Sequence, residues 1–502
     1  MPSRAGRRLL CAGWKAVIPT SSACRCLRPT PCSPERATGP DAMADPGRQT
    51  YHVLVSDGPG ETRWALLAGD TPVEVVFQRA HAVETGAIVA GRVTAAVPGH
   101  QALFVDLGRG PAGFLGAEDT PRGLPGEGAL LAFQVLREAV AGKGPTVTAA
   151  PTLAGRLLVY TPYVPGVGLS PRAGSTAARK ALRARITALL DPGEGVVART
   201  IAGEASEAAL RAELDHHRAR WRAIGRALAA STRPGLLEAA PGPLGGWLDS
   251  LGDALRSVVA DQGERAQALR RALAARGPDW PARVVIERAD QPLFERWGVE
   301  EALEAALAVR LALPGGGAIA IEETAALTAI DVDAGGADRR LVAPVAAREI
   351  ARQIRLRALA GQILIDFPRG ARGPEESGLV ALIEALAADP AGPRVLGVTR
   401  GGLVEVVRPR RRPPLSSLLT VPGGPPKLTA ETALLAALRE LVAGATRAPG
   451  ARPHLRVGPR SGGLLATDLA QALAEVEAAL GQAVAIDCFA DHPEDRPEAT
   501  FF

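Results

Sequence analysis

Between Thr324 and Gly370 the chain reads TAALTAIDVDAGGADRRLVAPVAAREIARQIRLRALAGQILIDFPRG, which is a strand, a short loop, an amphipathic helix and a second strand. Ala329-Ile330 leads into Asp331-Val332-Asp333, after which Gly335-Gly336 breaks the pattern. Residues i and i+2 of a strand face the same way, so Asp331 and Asp333 present two carboxylates on one surface. The helix is expected over Ala346–Ala360, with Ile350, Ile354 and Ala358 on one face and Gly361 as its stop. Ile363-Leu364-Ile365 is then a buried strand that delivers a third carboxylate, Asp366. Oxygen ligands from two neighbouring strand ends suit a hard cation such as magnesium. Such an ion polarises a phosphoryl oxygen and generates a hydroxide nucleophile. The spacing leaves a second account open, in which these acids are solvated turn residues. That account is weaker for Asp366, which an apolar run delivers with no lysine nearby.

A chain of 502 residues exceeds one hydrophobic core, so several domains are expected. With 47% hydrophobic and 22% charged residues, general disorder is excluded. No apolar run is long enough to span a bilayer. The net charge of +5 is misleading as a nucleic-acid signal, because residues 1–42 hold seven basic against two acidic residues. The rest of the chain carries 51 of each sign, so any RNA-binding field must come from local clusters such as Arg408, Arg410, Arg411 and Arg412. Cys11, Cys24, Cys26 and Cys32 lie in the same first segment and only Cys488 lies in the body, which argues for a reducing, cytoplasmic setting. Residues 1–42 have the composition of a transit peptide. The expectation adopted is that Met43, just ahead of a first strand at Tyr51, is the start, and that residues 1–42 are disordered or not made. Cys24-x-Cys26…Cys32 is a weak metal pattern, having no partner histidine.

Residues 51–86 read as short strands, TYHVLVS, TRWALLA and PVEVVFQ. GAIVAGRVTAAVPGHQALFVDLGRGPAGFLGAED, residues 86–119, alternates apolar residues with glycine turns and fits a small β-barrel. Farther on, a helix over 176–190 precedes GEGVVARTIAGEAS, where a strand ends on Arg199-Thr200. A guanidinium beside a hydroxyl at a strand end suits a phosphate. The residues alone leave room for an ion pair of Arg199 with Glu204 or Glu207 instead. Helices are expected at 205–231, 246–275 and 299–310, and past the linker VPGGPPK a small α/β unit with helices at 429–445 and 466–480 closes the chain.

ALTAIDVDAGG followed by AAREIARQIRLRALAGQILIDFPRG resembles the catalytic core of the ribonuclease E/G family. The segments QPLFERWGVEEALEAALAVRLALPGGGAIAIEET and VTRGGLVEVVRPRRRPPL are similar to the same family, and the resemblance runs from about residue 86 to 420. It implies a multidomain α/β and α+β protein whose ribonuclease-H-like scaffold (43–85 and 246–306) carries an inserted OB-fold RNA-binding barrel (86–149) and a 5′-phosphate sensor region (150–245). A DNase-I-like catalytic domain (307–427) and a C-terminal α/β unit (428–502) follow. It further implies a magnesium-dependent endoribonuclease cleaving single-stranded RNA, with preference for 5′-monophosphorylated ends. Asp331 and Asp366 would hold Mg2+ and Asp333 would assist. Phe104 and Phe114 would stack on bases beside Lys143, where the competing account makes both rings barrel core. Gly155, Val159, Arg199 and Thr200 would bind the 5′-phosphate. Homo-oligomerisation is implied too, though not through the family's cysteine-held zinc, since residues 401–427 contain no cysteine.

Two further departures matter. The family usually has Asn where this chain has Asp333, and a carboxylate accepts hydrogen bonds without donating one. An acid common just before the core is replaced by Ala325. The alternative is therefore a catalytically weak or inactive RNA-binding member of the family. A purely structural assembly factor explains neither Asp366 nor Arg199.

Overall fold

The computed structural model describes residues 49–502, apart from 81, 140–142, 171–174, 275, 277–278, 290, 371–372, 375, 422–425, 446 and 449. The expectations for residues 1–42, Met43 and Cys24-x-Cys26…Cys32 lie outside the described residues. Tyr51–Gly58, Glu61–Ala68 and Thr71–Arg79 form an antiparallel meander. Two-residue turns join them, with Gly60 at φ 67° and Gly69 at φ 58°, values that glycine reaches without Cβ strain. Leu255–Ala260 then adds in parallel to Tyr51–Gly58, and Val284–Ile286 adds in parallel beyond it. The expected helix 246–275 is therefore corrected: it is two helices, Leu244–Leu251 and Gly263–Ala274, around the strand LRSVVA. A strand buried on both faces lacks a period of two, and in sequence it reads like the inside of a helix. Val53, Leu54 and Val55 are fully buried at the centre of this sheet.

The chain leaves the sheet at Arg79 and rejoins it at Leu255. In between, Ile88–Ala96, Ala102–Asp106, Gly113–Gly116, Leu130–Arg137 and Thr146–Thr148 close a five-stranded, OB-like barrel. Val93, Val105, Leu115, Phe133 and Val147 fill it. Glu84 lies at its base, accepting the Arg79 backbone N–H at 2.8 Å, and burial pushes its carboxyl up to about 7. A second sheet, in the order 166–169, 195–198, 158–161 and 153–154, is flanked by the helices Thr176–Thr187 and Glu207–Ala230. Gly235–Glu238 then returns to pair with Ile88–Ala90 at the start of the barrel.

Residues 310–408 form a six-stranded sheet in the order 310–312, 318–323, 328–333, 361–366, 404–408, 394–398, whose one parallel pair is Thr328–Asp333 with Gly361–Asp366. The crossover helix is Arg339–Leu356, not 346–360. Its start was hidden by Pro344, which cannot donate to the Arg340 carbonyl one turn back; the Ser377 hydroxyl lies 3.5 Å from that oxygen. Its stop is Ala358 at φ 54°, with Leu359 N–H donating to Ile354 O at 3.0 Å. That is a glycine-type cap made by alanine, and the left-handed conformation costs about 1–2 kcal/mol. Its own Ile350 and Ile354 are fully buried, with Ile363, Ile365, Val404 and Val406 of the sheet, each contributing roughly 1.5–3 kcal/mol on burial.

The C-terminal part has strands Pro453–Val457, Ala485–Cys488 and Glu498–Phe501 against the helix Ala430–Ala445. The helix expected at 466–480 is Ala470–Leu480, and a further helix, Pro459–Ala466, precedes it. Among the described residues no helix is long and apolar enough to cross a membrane.

Candidate active site and RNA-facing surfaces

Asp331 and Asp366 are register partners across the parallel strand pair. Adjacent strands lie about 4.8 Å apart and paired residues point to the same face, so the two carboxylates are neighbours. The alternation Ile330-Asp331-Val332-Asp333 sends the aliphatic side chains inward, 2% and 6% exposed, and both acids outward. Buried Ile365 and Phe367 anchor Asp366 from either side. Among the described residues, neither Asp331 nor Asp366 has a side-chain hydrogen bond or ion pair.

Asp333 shares the face but is differently employed. One carboxylate oxygen accepts the Gly335 N–H at 2.9 Å and the other accepts Arg310 Nη2 at 2.7 Å. The Gly335 amide and then the Arg310 guanidinium hold its carboxyl below the usual range. Among the described residues no group of three or more His, Cys, Asp or Glu is placed to cage a metal ion. Two unpartnered carboxylates fit a cation that keeps most of its own water, as Mg2+ does, and not a four-ligand zinc site.

On the barrel, Phe104 and Phe114 are register partners on adjacent strands. Phe104 is 37% exposed and Phe114 is half-buried, so the pair faces outward while the core is aliphatic plus Phe133. Exposed Lys143 precedes Pro145, whose carbonyl accepts the Phe114 N–H at 2.8 Å, and the three residues therefore share one edge.

Arg199 and Thr200 line a cleft of about 630 Å³ between the second sheet and the helix Leu244–Leu251. Thr200 Oγ1 lies 3.2 Å from Ser170 Oγ. Arg199 pairs with Asp249 at 3.0 Å, not with Glu204 or Glu207. Asp249 also accepts Arg276 Nη2 at 2.6 Å. Gly155 and Val159 are not among the lining residues, whereas Arg156 is. A Cβ on Gly155 would collide with Glu213 Oε1 and His217 Nε2, so the glycine permits the approach of the Glu207–Ala230 helix.

The basic cluster near 410 is corrected. Arg408 is 5% exposed, bonded to Asp389 at 2.6 Å and to the Leu359 carbonyl at 2.9 Å. Arg412 pairs with Glu74, and Arg411 donates to Pro390 O at 3.1 Å. Most of the cluster holds the fold together. Sequence reasoning missed Arg310, Asp249 and Arg276, which lie 23, 50 and 27 residues from the groups they serve, and no local pattern marks them.

A family profile described as the ribonuclease E/G family matches residues 152–411. Ribonuclease G of Haemophilus influenzae is 30% identical over 425 residues, which is 78% of this chain and 87% of that protein. Ribonuclease G of Escherichia coli K12 is 30% identical over 475 residues, 87% of this chain and 96% of its own. Ribonuclease E of a Nostoc species is 34% identical over 372 residues, 69% of this chain and 54% of its own.

Proposed function

The chain belongs to the ribonuclease E/G family and is an endoribonuclease, and from that premise we propose that it hydrolyses single-stranded RNA with Mg2+, preferring 5′-monophosphorylated ends. The observation that carries the reading is the in-register pair Asp331–Asp366 on one sheet face, without a side-chain partner among the described residues. These two carboxylates hold the cation. When bound, Mg2+ supplies Lewis acidity toward a phosphoryl oxygen and lowers the pKa of a coordinated water. Asp333, fixed by Gly335 and Arg310, orients the group next to it without taking a proton at neutral pH. Phe104 and Phe114 offer stacking surfaces that an unpaired strand can use and a duplex cannot, worth ~1–3 kcal/mol per base. Arg199 and Thr200 select the end, because a terminal monophosphate carries more charge than an internal diester.

The five-stranded sheet is read as the ribonuclease-H-like scaffold, and the six-stranded sheet as the DNase-I-like catalytic domain. Self-association, without cysteine-held zinc, and a cytoplasmic setting belong to the same proposal. The test compares cleavage of one RNA oligomer bearing a 5′-monophosphate or a 5′-hydroxyl, with and without Mg2+. Arg199→Ala should slow the monophosphate substrate roughly ten- to hundredfold and lower the ratio of the two rates toward one. No cleavage with Mg2+ would leave an RNA-binding member that does not turn over. Equal slowing of both substrates would make Arg199 a general backbone contact.

A further inference from the structure

Asp249 stands between two arginines at the mouth of the cleft that Arg199 and Thr200 line. Its Oδ2 accepts Arg199 Nη1 at 3.0 Å and its Oδ1 accepts Arg276 Nη2 at 2.6 Å. The three residues come from three places: the end of the strand Gly195–Ala198, the helix Leu244–Leu251, and the turn after the helix Gly263–Ala274. One carboxylate thus bridges two guanidinium groups in the manner a phosphate does, with one oxygen on each. The nearby Asp253 is already paired with Arg283 at 3.0 Å. Arg156 lines the same cleft with no resolved acidic partner among the described residues. Asp249 is therefore the acid that competes for the cleft's cations.

We infer that Asp249 is a built-in competitor for the 5′ end: it occupies the Arg199–Arg276 pair in the unliganded protein and yields it to a terminal phosphate. The inference rests on the cleft being the 5′-phosphate site. A terminal monophosphate carries about −1.5 to −2 charges near neutral pH. It therefore displaces a carboxylate of charge −1 from two guanidinium groups, while a 5′-hydroxyl end has nothing to offer them. Arg276 becomes a second phosphate ligand, supplied by the turn after the scaffold sheet's helix and not by the sheet that carries Arg199. The competitor lowers affinity for every anion, so a terminal monophosphate displaces it where an internal diester, with a single charge, does not. Discrimination is sharpened while binding strength falls.

The test measures binding of a short 5′-monophosphorylated oligonucleotide and its 5′-hydroxyl twin to the full chain, in chelator and at one fixed salt concentration. Asp249→Asn removes the charge and keeps one acceptor oxygen. Because Arg199 and Asp249 are partly solvent-exposed, releasing the pair should tighten monophosphate binding only roughly two- to fivefold relative to the hydroxyl twin. Asp249→Glu, which keeps the charge, should show no gain. Arg276→Gln should weaken monophosphate binding instead. A merely structural Asp249 would give the opposite sign, with weaker binding and a lower melting temperature. Asp249→Ser makes the same measurement if the amide variant folds poorly. Unchanged or weaker binding in the charge-removing variants overturns the inference, and the pocket itself stands if Arg199→Ala has abolished the monophosphate preference. If Arg199→Ala leaves that preference intact, the cleft is not the 5′ site and the inference falls with it.

Discussion

Arg408→Ala separates a structural arginine from one that binds RNA. The Arg408 and Asp389 side chains are 6% and 5% exposed and meet at 2.6 Å. Asp389 uses its other oxygen to accept the Ala391 N–H at 2.8 Å. Truncating Arg408 leaves a buried carboxylate without a counter-charge and removes the donor from the Leu359 carbonyl. Breaking a buried pair from one side costs ~3–5 kcal/mol. At about 2–4 °C per kcal/mol for a domain of this size, the first thermal transition should fall by roughly 6–20 °C. Replacing both partners with apolar residues, Arg408→Met with Asp389→Leu, should recover much of the loss, because neither charge is then stranded. The companion measurement is the slope of log affinity against log salt for a single-stranded RNA. Removing an arginine that neutralises a phosphate would reduce that slope by about 0.7, whereas removing a structural arginine leaves it unchanged. An unshifted melting temperature together with a shallower salt slope would refute the reasoning.

Asp331→Asn and Asp366→Asn should each nearly abolish cleavage while RNA binding persists, and wild-type turnover of either at saturating Mg2+ removes that residue from the site. Asp333→Asn should keep or raise activity, since the amide oxygen still accepts the Gly335 N–H and only the exposed pairing with Arg310 is given up; complete loss in a cleavage assay would make Asp333 a true ligand. Gly155→Ala should lower stability by ~1–3 kcal/mol in urea unfolding, through overpacking against Glu213 and His217. Glu84, with its carboxyl raised from 4.5 to about 7 in the folded protein, binds more protons folded than unfolded across that interval. Its contribution to stability is present below 4.5 and is lost as the pH rises through about 7. Glu84→Gln should therefore match wild type near pH 4.5 and exceed it above pH 7, by on the order of 3 kcal/mol. A pH-independent difference between the two melting curves would show that Glu84 does not titrate in that interval.

The acid-bearing strands were legible because each states its own pattern: Ile330-Asp331-Val332-Asp333 alternates, and Ile363-Leu364-Ile365 is apolar up to Asp366. Their in-register pairing was not legible, since it depends on a crossover helix whose first turns are disguised by Pro344. The outward pair Phe104 and Phe114 was implied by the family resemblance, whereas the alternation within a glycine-punctuated run left both rings equally readable as barrel core. Arg199 pointed to an anion, but the anion it meets, Asp249, belongs to a helix in another layer, while sequence neighbours suggested Glu204 or Glu207. Arg408, Arg411 and Arg412 read as a surface field because like charges adjacent in sequence look alike whether they face water or Asp389 and Glu74. Charge can be counted in a sequence, but its neutralisation depends on tertiary structure.

The pairing of Gly235–Glu238 with Ile88–Ala90 brings the exit of the barrel and second sheet alongside their entry. Everything between residues 88 and 238 is thus a cassette on a zipped stem, and none of the five scaffold strands falls inside it. A cassette of this kind tolerates recombination. Its length and contents can change without altering the distance its host must bridge, since the stem fixes that distance locally. The loop-closure entropy of about 150 residues is met at the stem, and the scaffold strand at Leu255 finds Tyr51–Gly58 as though only a short loop intervened. The cassette can therefore change while the sheet that carries it is held to one solution.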